Sequence, residues 1–221
     1  MELNGFFNLS VKYVSLLILP ISMAVIILSQ DLVRVVYGAG YLQAPLYLAA
    51  YSTLFLLTGL GYAVTDNLFN GAGETKLTFK TSIVYLSVFV AAAPALTWVY
   101  GVLGLITAHL ISNLASTFYA LILAHKRFRV KINLQGQIRI YLTSALSAIS
   151  AVAILNLSSL SILNLLMGAA AYFIICLTLT PIVKCIDKQD LENLKQIFSK
   201  IKILKPIATL ILKYEDPFIA H

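Results

Sequence analysis

Apolar residues in this chain come in long stretches separated by short polar clusters, with neither the strict alternation of a strand nor the half-polar repeat of a surface helix. No Asp, Glu, Lys or Arg occurs from Thr81 to His125 or from Ile140 to Val183, runs of 45 and 44 residues. A helix needs about 20 apolar residues, at about 1.5 Å each, to cross a hydrocarbon layer, so each run holds two crossings and a turn. The turns are legible at Tyr100-Gly101-Val102-Leu103-Gly104 and at the polar cluster Asn156 to Ser161. Two earlier stretches, Tyr13 to Gln30 and roughly Tyr41 to Thr65, bring the expected number of spans to six.

Composition points the same way: 60% of the 221 residues are hydrophobic and 11% are charged. Soluble domains carry roughly 25% charged residues, and a water-soluble core of this size could not hide so much apolar surface. The expected fold is therefore all-α: a polytopic six-helix transmembrane domain over residues 1–184, followed by a cytoplasmic tail over 185–221. Within the tail, Leu191, Leu194, Ile197, Phe198, Ile201 and Leu204 share one stripe from Asp187 to Lys205, with Pro206 closing it. That pattern predicts an amphipathic helix lying on the inner leaflet.

Charge sets the orientation. When the spans are laid out alternately, fifteen of the sixteen Lys and Arg fall on one side and Arg34 stands alone on the other. Basic residues collect on the cytoplasmic side, so both termini are expected inside and the protein in the cell membrane. The net charge of +7 is then an orientation signal drawn to anionic lipid headgroups, and no nucleic-acid partner is needed to account for it. Glu2 as well as Lys12 precedes the first stretch and no small-residue cleavage site follows it, so that stretch is expected to stay as a span rather than leave as a signal peptide.

Catalytic chemistry is not encoded in any recognisable form. No His, Cys and carboxylate cluster has metal-ligand spacing, no nucleophile-base set can be assembled on one face, and nothing calls for a cofactor; the protein is not expected to be an enzyme. Gly71-Ala72-Gly73-Glu74-Thr75-Lys76 lacks the ending and the preceding strand of a phosphate loop and reads as a turn. Asn8-Leu9-Ser10 and Asn156-Leu157-Ser158 match the glycosylation sequon, but one is expected inside the cell and the other in a tight turn against the membrane. Cys176 and Cys185, about 13 Å apart if on one helix, are too distant to pair and read as inert.

Three features in order carry a family resemblance. Pro20 sits mid-span, Val36-Tyr37-Gly38-Ala39-Gly40-Tyr41-Leu42-Gln43-Ala44 follows on the outside, and Leu68-Phe69-Asn70-Gly71-Ala72-Gly73-Glu74-Thr75-Lys76 turns on the inside. With Tyr100 to Gly104 as the next external turn, the stretch Tyr13 to Arg129 resembles the C-terminal half of Wzx-type polysaccharide flippases of the multidrug/oligosaccharidyl-lipid/polysaccharide exporter superfamily. Such flippases have twelve or fourteen helices in two lobes, and this chain matches about helices nine to fourteen. The resemblance implies transport of a lipid-linked oligosaccharide, contact with membrane lipids, and a separate N-terminal lobe as partner. Half of a multidrug antiporter, or a membrane interaction subunit without transport, are the alternatives.

Candidate site residues follow from the chemistry of passing a sugar- and phosphate-bearing head through a hydrated path. His109, Ser112, Asn113, Ser116 and Thr117 share one helical face, as a polar cavity wall or as a seam joining helices. Lys12, Lys80 and Arg139 stand at cytoplasmic helix ends, either reaching a pyrophosphate or marking topology by snorkelling. Asp31 and Asp66 fall at helix ends, so no mid-span carboxylate is expected and a cation-coupled antiporter is disfavoured.

Overall fold

A computed structural model describes residues 2–154, 161–187, 190 and 192–193. Among these the chain is all helical: α1 Glu2–Tyr37, α2 Ala44–Ser52, a 3-10 segment Thr53–Leu60, α3 Val64–Gly71, α4 Thr75–Phe128, α5 Leu134–Ile154 and α6 Ser161–Ile182. α1, α4 and α6 are long and apolar enough to cross a membrane, and α2 with the 3-10 segment and α3 make a fourth such unit bent by 51°. The turn predicted at Asn156–Ser161 and most of the predicted tail helix lie outside the described residues.

α1 is the hub against which α2, the 3-10 segment, α5 and α6 pack. It is longer than the predicted Tyr13–Gln30 span because its first turns have distant partners. The Asn4 carboxamide oxygen accepts from the Lys131 amide (2.8 Å), and Asn8 both donates to the Lys131 carbonyl (2.8 Å) and accepts from the Asn133 amide (2.7 Å). Pro20 is buried inside a helix that nonetheless continues through it, leaving the Leu16 carbonyl without its usual amide partner.

α4 is helical from end to end except at Gly101, whose φ 59°, ψ −134° is open to glycine and closed to other residues. The chain reverses there. The Ser116 hydroxyl donates to the Thr81 carbonyl (2.9 Å), Tyr85 meets His109, and Arg127 pairs with Glu74 (2.5 and 2.9 Å), so residues 75–100 and 102–128 form an antiparallel hairpin. The glycine-bounded turn expected at 100–104 is this reversal.

The expected span at 41–65 is not one continuous helix. Thr53 and Thr58 hydroxyls bond back to the carbonyls of Ala50 and Phe55, three residues earlier, through a tightened 3-10 stretch that ends at Gly61 (φ 80°). Gly59 lies against the Tyr141 ring of α5, whose hydroxyl bonds the Leu56 carbonyl; a Cβ at residue 59 would come within 2.5 Å of that ring. Ala63, at φ 65°, holds a left-handed conformation costly for a non-glycine residue, and α3 starts in a new direction.

Side-chain burial is mixed: Phe7, Leu19, Phe69 and Tyr172 are buried, but so are many hydroxyl residues, and large apolar side chains stand exposed. Ser15, Ser112, Ser144 and Ser147 are inaccessible, while Trp98, Ile149 and Phe79 are 91%, 69% and 67% exposed. Small hydroxyl residues let the helices approach closely, and many large apolar ones face outward. The basic residues collect at one end. The start of α1, the 131–133 loop, the Glu74–Arg127 pair and the segment after α6 meet there, and among the described residues only Arg34 of the cations stands at the other end.

Candidate functional site

Where α3 changes direction, the broken helix and the α4 hairpin enclose a cavity of about 150 Å³. Gly61, Tyr62, Ala63, Thr65 and Asp66 supply one wall, Thr81, Ser82 and Tyr85 a second, and Asn113, Ser116 and Thr117 a third. Irregular backbone within a stack of apolar helices is tolerated where it lines such a space. Thr81 is fully buried and stands about 9 Å along the hairpin from Thr75 at about 1.5 Å per residue, so the cavity lies near the α3–α4 connection.

Asp66 is the chemically distinctive wall residue. It occupies the first turn of α3, which suits a carboxylate at a helix N-terminus. Asp66 thus lies at a helix end, as expected, and the break at residues 61–63 sets it half-buried on the cavity. Its Oδ1 lies 3.2 Å from the Thr81 hydroxyl, whose one proton also has the Thr78 carbonyl at 2.8 Å. Among the described residues the ion pairs are Lys12–Asp190 and Arg127–Glu74, and Asp66 is in neither.

The polar face of the returning arm divides between the two readings open from sequence. Asn113, Ser116 and Thr117 line the cavity, while Ser112 is inaccessible and bonds the Ala108 carbonyl (2.7 Å). Ser116 also ties the arms through Thr81. The Asn113 amide donates to the His109 carbonyl (2.8 Å). His109 itself is held among aromatic rings: Tyr51 stacks on it at 5.8 Å, Tyr85 and Phe89 meet it edge-on, and its Nδ1 lies 2.7 Å from the Tyr85 hydroxyl. It joins α2 to both arms, and Tyr85 connects it to the cavity.

The three cations singled out in the sequence do not converge on this cavity. Lys12 pairs with Asp190, which also accepts from the Tyr13 hydroxyl (3.2 Å). Asp187 and Asp190 exchange side-chain and backbone hydrogen bonds (2.9 and 2.8 Å), the reciprocal pattern of a capping box, so Lys12 clamps the start of the predicted tail helix to α1. Arg139 donates to the Lys184 carbonyl (3.2 Å) in the same region, and Lys80 is exposed on the outgoing arm. Sequence reasoning named Asp66 only as a helix-end residue and did not single out Tyr62, Thr81 or Tyr85. The available signal was a lone carboxylate a few residues past Gly61, at the margin of an apolar stretch.

Fold and site together define, among the described residues, an all-helical protein with several helices of membrane-spanning length and a polar, carboxylate-bearing cavity between α3 and the hairpin. No family model, no curated protein and no solved structure matches the chain.

Proposed function

We propose that the chain is the C-terminal part of a transporter that flips lipid-linked polysaccharide precursors across the cell membrane. In this reading it is a multi-pass protein of six crossing helices with both termini cytoplasmic, working with an N-terminal lobe and bearing directly on membrane lipids. The observation that carries the reading is the coincidence of motif order with helix breaks. The Val36–Ala44 stretch joins α1 to α2, Leu68–Lys76 joins α3 to α4, and Tyr100–Gly104 forms the hairpin tip, at alternate ends of the helix layer. Outward-facing apolar side chains, inward-facing hydroxyls and basic residues gathered at one end support the membrane setting and its orientation.

A cavity of about 150 Å³ is too small to hold an oligosaccharide, so the sugar path is assigned to the face this chain presents to its partner lobe. Lys80 and Arg139 at the basic end are the cations placed to meet a phosphate; Lys12 is occupied by Asp190. Deleting the gene in its own host tests the reading. Lipid-linked oligosaccharide should then stay in the cytoplasmic leaflet, protected from periodate added to intact spheroplasts. Oxidation at the parental rate would sink it. The second reading, half of a multidrug antiporter, gains from Asp66; it predicts drug hypersensitivity of the same strain with normal oligosaccharide accessibility.

A further inference from the structure

We propose that the cavity beside Lys12, at the basic end of the helix layer, binds a primary ammonium group, carried either by a lipid headgroup of the ethanolamine type or by a free amine. This is a different cavity from the one beside Asp66, and the inference does not depend on the transport reading. It measures about 340 Å³, near the lower end of ligand cavities, which suits a small headgroup rather than a long chain. α1 contributes Asn8 and Lys12, the start of α5 contributes Asn133 and Gln137, and the segment after α6 contributes Asp187 and Asp190.

What this lining has left to offer is acceptors. Lys12 is committed to Asp190, and the Asn8 carboxamide is committed to the Asn4 and Lys131 carbonyls and the Asn133 amide. The Asn133 side-chain oxygen accepts from the Gly136 amide (3.2 Å). Gln137 is different: it is 4% exposed, and its Oε1 is enclosed without a hydrogen-bond donor. A buried acceptor left in that state bears the full cost of leaving water, which a bound donor would offset. Two carboxylates against one lysine also leave the lining negative. The fitting ligand brings donors and positive charge together, and an –NH3⁺ group has three donors on one compact charge. A hydroxyl brings one donor and no charge; a quaternary ammonium brings charge and no donor. The phosphate beside the amine in such a headgroup would stay outside, at the end where the side chain of Lys131 is exposed.

Thermal unfolding of the full chain in maltoside micelles tests this, with dihexanoylphosphatidylethanolamine and its N-methyl, N,N-dimethyl and N,N,N-trimethyl forms as probes. Along that series the charge is constant while the donors fall from three to none. Tm should rise by about 5–10 °C at a hundredfold excess over Kd for the unmethylated lipid, less with each methyl, and not at all for the trimethyl form. Phosphoethanolamine without acyl chains separates the sources: an equal shift at equal concentration identifies a free amine as sufficient, and a shift confined to the lipid identifies the headgroup. Gln137→Met removes the acceptor at nearly constant volume and should lose the response. If that variant fails to fold, Gln137→Asn draws the carboxamide back by one methylene, and the apparent Kd should rise about tenfold or more. The proposal is overturned by no response to either the lipid or the free amine, by an equal response along the methyl series, or by a Gln137 variant that responds like wild type.

Discussion

Gly104 is the residue on which the hairpin depends most directly, and Gly104→Ala tests whether the two arms pack as described. Gly104 sits three residues past the reversal, with the outgoing arm's backbone against it. A Cβ there would overlap the carbonyl carbon and oxygen of Leu96 and lie 2.9 Å from the Thr97 nitrogen, where ordinary contact begins at 3.4 Å. These neighbours are helix backbone and cannot rotate aside, so the arms must part. Parting loosens the Ser116–Thr81 and Tyr85–His109 contacts that close the cavity. Overpacking of a well-packed site costs about 1–3 kcal/mol, and a backbone clash belongs at the upper end, about 2–3 kcal/mol. For a chain of this length that is a fall in Tm of about 4–12 °C. Thermal unfolding in nanodiscs is the assay, with Gly71→Ala as control, because a Cβ at residue 71 meets nothing within 4 Å. The control should be neutral or up to about 1 kcal/mol stabilising. Equal melting of the two variants would refute the hairpin packing.

Three further outcomes follow from other parts of the fold. Lys12→Met strands the Asp190 carboxylate, whose side chain is 5% exposed; with Lys12 itself 25% exposed the loss is about 1–3 kcal/mol, and Lys12→Met with Asp190→Asn should melt higher than Lys12→Met alone. Burial pushes the Cys185 thiol pKa up, against the opposing pull of the Thr143 hydroxyl and the Arg139 and Lys12 charges, so little thiolate forms at pH 7. Maleimide should therefore leave Cys185 unmodified in native membranes and modify it after SDS; rapid native labelling would show that the segment after α6 is not packed as described. With Cys176 and Cys185 replaced by Ala, an impermeant maleimide should label Ala39→Cys from outside and Lys131→Cys only after permeabilisation. The reverse pattern would overturn the proposed orientation.

How far the sequence foretold these features depends on whether local chemistry or a distant partner sets each one. The hairpin was legible because a charge-free run of 45 residues exceeds one crossing and because Gly101 and Gly104 punctuate it. The all-helical class followed from the apolar stretches for the same reason. The break at residues 61–63 was not legible: Gly61 alone is a weak signal in an apolar stretch. What sharpens it is the Tyr141 ring from α5 pressing on Gly59 and holding the Leu56 carbonyl. The extension of α1 back to Glu2 likewise rests on hydrogen bonds to residues more than a hundred positions away.

The candidate site shows the same division. Helical spacing put Asn113, Ser116 and Thr117 on one face, and that face meets the cavity, because spacing along a single helix is a local property. His109 lies on the same arm, yet the rings of Tyr51, Tyr85 and Phe89 decide its surroundings, and they come from α2 and the other arm. Asp66 stands at a helix end, as its place past Gly61 suggests, but the cavity it borders is not legible in the sequence. The left-handed turn at Gly61 and the strained Ala63 redirect the chain and set the carboxylate against the Thr81 hydroxyl of the hairpin.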